Sequence, residues 1–216
     1  MVEKFHVELE ALKKQVLEMG HLAEDMLLRS VDALRNLDVD LASQVASKKK
    51  DIAHMDMDIE EKALRLLTLY QPMASDLRTT ACILKIITYL ARIGRYGKDI
   101  ANIVGELSDK PHIAKLVSIP HMADIVCKMI EDALKAFETC DLSYINDISD
   151  RDDSVDALRY SIFRECITYM MEDPSTITRC SHYAMVARYL ERCADHACKM
   201  AEKTHYMVTG EHIEIK

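Results

Sequence analysis

Two carboxylate pairs are the part of this chain best placed to do chemistry. Asp152 and Asp156 stand four residues apart, as do Glu191 and Asp195. On a helix such positions share a face, so each pair converges on one patch. Glu202, eleven residues beyond Glu191, returns to nearly the same angle. If the two helices lie side by side, four carboxylates share a small volume and require either protonation or a cation. Their oxygen donors suit magnesium, manganese, calcium or iron. Two ordinary solvated acidic faces would have the same spacing. The apolar stripe through Val186, Leu190, Cys193 and Ala197 lies more than about 90° away on a helical wheel. The carboxylates are therefore expected to flank the core and stay open to solvent.

Long helices must carry these residues. Apolar positions at spacings of three and four run through six segments: about 3–36, 41–70, 75–107, 113–139, 142–172 and 175–207. The second stops at Gln71-Pro72 and the fifth before Pro174, where proline blocks continuation. Ser75 is a candidate N-cap, and Pro120 a candidate bend in the fourth helix. With 5 Gly and 4 Pro against 13 Met in 216 residues, the composition suits helices and not strands. The chain also matches itself at an offset of about 100. His21, Ala23, Asp32, Asp56, Tyr89, Leu90 and Arg92 recur as His121, Ala123, Asp132, Asp156, Tyr189, Leu190 and Arg192. A duplicated three-helix unit is expected: residues 1–107, a linker over 108–112, residues 113–208, and a tail over 209–216. The fold class is all-α, two tandem three-helix bundles with short antiparallel connections.

Composition and motif spacing narrow the function. The formal net charge of −8, with no basic run longer than Lys48-Lys49-Lys50, disfavours nucleic acid and anionic lipid as partners. No segment has the length and apolarity of a membrane span, and Met1-Val2-Glu3-Lys4 lacks a signal-peptide core, so a cytoplasmic protein without direct membrane insertion is expected. Seven cysteines without a CxxC pair read as reduced core residues. The glycines form no phosphate loop, although Gly94 and Gly97 would permit close helix approach. Glu3-x-x-His6 and Glu18-x-x-His21 have di-iron spacing but lie on a single helix, whereas that chemistry needs facing helices. His21 and His121 are expected to be partly buried and satisfied, and His196 to sit on the flank of its helix.

The duplicated bundle, the segment Gln71-Pro-Met-Ala-Ser-Asp76-Leu-Arg78 and the stretch Leu190-Glu-Arg-Cys-Ala-Asp-His-Ala resemble the PhoU family over essentially the whole chain. That resemblance implies a cytoplasmic, often homodimeric regulator, not an enzyme. Such a regulator restrains phosphate uptake and phosphate-starvation signalling through the phosphate ABC-transporter ATPase and a sensor histidine kinase. It also implies a divalent or trivalent metal (iron, manganese, zinc, magnesium or calcium) on Asp152, Asp156, Glu191 and Asp195, with Glu202 as a further ligand. At an offset of 100, Ala91 and Arg95 stand for Glu191 and Asp195, and Ile52 for Asp152. Only Asp56 remains, so the first repeat is expected to hold no metal, with Arg95 pairing to Asp56 or Asp99. The competing reading is a carboxylate-bridged metalloenzyme; it would need a water-accessible pocket with acid–base groups beside the metal. A metal-free helical adaptor is a third.

Overall fold

The computed structural model describes residues 2–215, which contain helices and turns and no strand. The first repeat comprises α1 (Val2–Asn36), α2 (Val39–Ser47), α3 (Lys49–Tyr70) and α4 (Ala74–Leu107). α2 and α3 form one long helical segment interrupted at Lys48. The second comprises α5 (Ser118–Thr139), α6 (Ile148–Glu172) and α7 (Ile177–Thr209). Within each repeat the first and third helices pack together and the second lies outside. Across the repeats α4 packs on α7 and α1 on α5, so one apolar core runs through both bundles.

Helix ends follow local chemistry. Asp38 caps α2 by accepting from the Leu41 amide at 2.9 Å, satisfying a donor the helix leaves free. α3 ends where Gln71 turns left-handed before Pro72, and α7 ends at Gly210, whose φ of 80° suits glycine. α5 starts at Ser118 and not near 113. Pro120 does not bend it: within the first turn, proline's missing amide costs nothing. Residues 108–117 therefore cross between repeats without α-helix. They are held on both sides, since His112 contacts Tyr183 Oη at 2.6 Å through Nδ1 and the Leu34 carbonyl at 2.9 Å through Nε2.

Burial revises the register of the repeat. The buried positions 16, 19, 23, 26, 30 and 34 of α1 are matched in α5 by 119, 122, 126, 129, 133 and 137, an offset of 103. Ile52, Ile59 and Ala63 of α3 match Val155, Ile162 and Cys166 at the same offset. Only α4 and α7 keep an offset of 100, as Leu90 with Leu190 and Ala101 with Ala201. The pairings His21–His121, Asp32–Asp132 and Asp56–Asp156 are therefore not structural. Three residues turn a helix by about 300°, which is 60° short of a full turn, so the apolar pattern survives the slip. His21 and His121 are both exposed, not partly buried.

Close packing at two glycines explains their presence. A Cβ on Gly97 would lie 2.9 Å from the Met26 backbone carbon of α1, so α4 can approach there only without a side chain. Gly20 receives the tip of Leu134 across the α1–α5 seam. Six of the seven cysteines are buried and all are free.

Candidate functional site

The α6–α7 contact brings the two expected carboxylate pairs onto neighbouring helices, but it does not gather all five residues. Glu191 is 8% exposed, contrary to the solvent-open position expected. Its Oε1 forms an ion pair with Arg159 Nε of α6 at 3.2 Å, without hydrogen-bond geometry, and its other oxygen is paired with Arg188. Glu202 is also buried; Lys199 Nζ donates to it at 2.7 Å and the Ile215 amide at 3.0 Å. Both carboxylates carry helix-face positions that the wheel put beside the core, and their long side chains reach arginine and lysine partners there.

The aspartates behave differently. Asp152 is half-buried, and burial, followed by the charges of Asp195 and Asp156, pushes its carboxyl up to about 6. A hydrogen bond with Cys198 partly counters this. Asp195 has Arg192 at 3.3 Å, an exposed pair, and Asp156 is exposed. Asp152, Asp156 and Asp195 therefore form a patch of like charge in which one carboxyl keeps its proton unusually late. Among the described residues no group of three or more His, Cys, Asp and Glu side chains stands ready to hold a metal. The five-residue set does not fit a single ion, because two of its members already neutralise protein cations.

Arg159, Arg188 and Cys198 were missed by sequence reasoning. Arg188 was legible, three residues before Glu191 on the same helix face. Arg159 needed the α6 register, and Cys198 gave no signal.

The first repeat has no counterpart of this patch. With the corrected register, Lys49 and Ala53 stand where Asp152 and Asp156 do, and Ala91, Arg95 and Asn102 where Glu191, Asp195 and Glu202 do. Arg95 pairs with Asp99 at 3.8 Å. Asp56 occupies the place of Arg159, and burial followed by Glu60 raises its carboxyl.

Across the seam between the repeats, α4 and α7 meet through rings. Tyr96 stacks on Tyr189 at 5.4 Å and on His196 at 6.1 Å, and Tyr89 stacks on His196 at 5.7 Å. Tyr89 matches Tyr189 in the repeat, and Tyr96 matches His196. His196 is thus inside the seam and not on an open flank. Burial first, then the charge of Arg92, lowers its imidazole to about 4, and its Nε2 is buried without a partner.

The fold and these residues can be set against known proteins. The family model of the PhoU domain matches residues 16–104 and 119–204. The chain belongs to the PhoU family. The two matched spans begin 103 residues apart and end 100 apart, the same register change that burial reveals. A PhoU homolog of Rhizobium meliloti, named as a phosphate-specific transport system accessory protein, is 37% identical over 97% of this chain and 89% of its own length. One from Caulobacter vibrioides is 38% identical, covering 98% and 93%. The crystal structure of PhoU from Pseudomonas aeruginosa superposes with a TM-score of 0.92 at 36% identity, over 96% of this chain and 100% of that one. The phosphate transport system regulatory protein PhoU from Streptococcus pneumoniae gives 0.89 at 28%, over 97% and 99%. PhoU relatives are named as accessory or regulatory proteins, and the chain is placed among them and not among enzymes. No helix of the described residues is long and apolar enough to cross a membrane.

Proposed function

We propose that this PhoU-family protein restrains phosphate uptake and phosphate-starvation signalling by docking, in the cytoplasm, to the phosphate ABC-transporter ATPase and its sensor histidine kinase. The full-length likeness to proteins named as phosphate-specific transport system accessory proteins carries the reading. Long helices joined through one core supply broad faces that hold their shape, as docking requires. Deleting the gene tests it: uptake and starvation genes should be derepressed in ample phosphate, and an unchanged response overturns the proposal. The outward row Tyr160, Phe163, Ile167 and Met171 on α6 is exposed, and supports self-association as a homodimer.

The cation reading rests on narrower ground than the five-residue set. Asp152, Asp156 and Asp195 repel one another, and a hard cation drawing them together would relieve that repulsion. Elemental analysis of protein purified without chelator should find metal that is lost in an Asp152→Asn, Asp195→Asn double variant. Equal metal in both removes these residues from the assignment.

A further inference from the structure

The outward face of the α4–α7 seam carries a charge opposite to that of the chain, whose formal net charge is −8. The half-buried row Tyr89, His196, Tyr96 and Tyr189 runs along it. Burial is the first influence on the ionisation of three of these rings, and the charges that follow show which groups surround them. Arg92, Asp195 and Arg192 act on His196. Asp99, Arg95 and Lys98 act on Tyr189, and Glu202, Lys199 and Arg92 on Tyr89. Lys85 stands one turn before Tyr89 on α4, and Lys203 two turns after His196 on α7.

The carboxylates on this face are fewer and already engaged. Glu202 is buried against Lys199. Asp195 pairs with Arg192 at 3.3 Å, and Asp99 is shared by Lys98 at 3.0 Å and Arg95 at 3.8 Å. The Arg95 side chain is 75% exposed. Arg92 is exposed and makes no ion pair among the described residues. The duplication shows where the charge arises. Ala91 and Arg95 stand where the second repeat has Glu191 and Asp195, which removes two negative charges and adds a positive one. The aspartate patch of α6 borders the strip beyond Asp195, so an anionic partner is directed to the α4 side.

The chain's own C-terminal tail seats an acidic segment at one end of this face. After Gly210 it turns back along α7, where the Ile215 amide donates to Glu202 at 3.0 Å. Glu202 first, and then Glu214, favour the charged form of Lys199. We propose that the remaining strip, centred on Arg92 and Arg95, docks an acidic segment of a partner protein. Arginine forks suit carboxylates, and opposed surface charge steers and orients such encounters. A nucleic acid strand, with its unbroken run of phosphates, would meet Asp99 and Asp195 within the strip and a chain that repels it as a whole. The inference rests on the docking reading only in taking the segment to come from another protein. Its test uses the purified chain, so it fails independently of the phosphate response in cells.

The probe is a labelled, end-capped oligo-glutamate, titrated against the whole protein by fluorescence anisotropy at low salt. Saturable binding is expected, weakening as added salt shortens the reach of surface charge. Arg92→Glu with Arg95→Glu should weaken it by about tenfold or more. Arg92→Gln with Arg95→Gln should weaken it less, helicity by circular dichroism being unchanged in both. Lys14→Glu with Lys115→Glu, at exposed positions of α1 and of the segment 108–117, changes the net charge equally and should leave binding within about twofold. No saturable binding, or equal loss in the two charge-reversed double variants, overturns the proposal. So does an oligothymidylate of the same charge that binds more tightly than the peptide and depends on the same arginines.

Discussion

The second repeat gathers charge between its second and third helices, whereas at the matched positions of the first repeat Lys49, Ala53, Arg95 and Asn102 are exposed. Around Glu191 two arginines converge from α6 and α7. At the matching site Ala91 leaves nothing to pair, and Arg95 turns outward to Asp99. Conversely, Gly97 brings α4 against the α1 backbone, where the second repeat has Ala197. Duplicated folds can thus keep one architecture while only one copy carries a polar site.

Removing Glu191 should break this contrast most strongly. Stripping one partner from a buried pair costs about 3–5 kcal/mol, and the partial water access of Arg159 and Arg188 brings Glu191→Ala to or below the foot of that range, about 2–3 kcal/mol. Arg95→Ala in the first repeat should cost about 0–1 kcal/mol, as exposed pairs do. Urea denaturation of both variants checks the difference, and equal losses would erase the asymmetry.

Gly97→Ala sharpens it from the packing side. The new methyl meets backbone, so overpacking of about 1–3 kcal/mol should outweigh the helix propensity gain of about 1 kcal/mol. A stabilised Gly97→Ala protein would show that α1 and α4 can separate freely.

A further contrast lies in the pH dependence. An aspartate ionises near about 3.9 in the unfolded chain, whereas Asp152 is raised to about 6 by burial, Asp195 and Asp156. Between those values the folded protein retains a proton that the unfolded chain has lost. Asp152 therefore makes stability fall as pH rises from about 4 to about 6. His196, lowered to about 4, acts oppositely, its contribution being lost as pH falls through that value. Asp152→Asn should flatten the falling component in urea midpoints taken across this range; an unchanged profile would show that the patch is fully hydrated.

Much of the fold was legible because apolar periodicity survives small slips, as the three-residue error over α1 and α3 shows. The same tolerance hid the true mates of Asp152 and Asp156. The carboxylate pairs were correctly placed on adjoining helices, but angle alone could not tell solvent from arginine beside Glu191. Side-chain reach decides that, and it depends on where α6 sits along α7. The late start of α5 was also hidden, since residues 113–117 keep an apolar pattern and pack without forming an α-helix.

The ring stack across the α4–α7 seam carries a consequence for how such asymmetry arises. When two separate copies of one chain meet across an axis, every change at the contact is made twice. Tyr96 and His196 occupy matched places in one covalent chain, and only one of them is histidine. Joining the copies releases each side to change alone. The seam thus records a broken symmetry, of the same kind that lets Glu191 exist opposite Ala91.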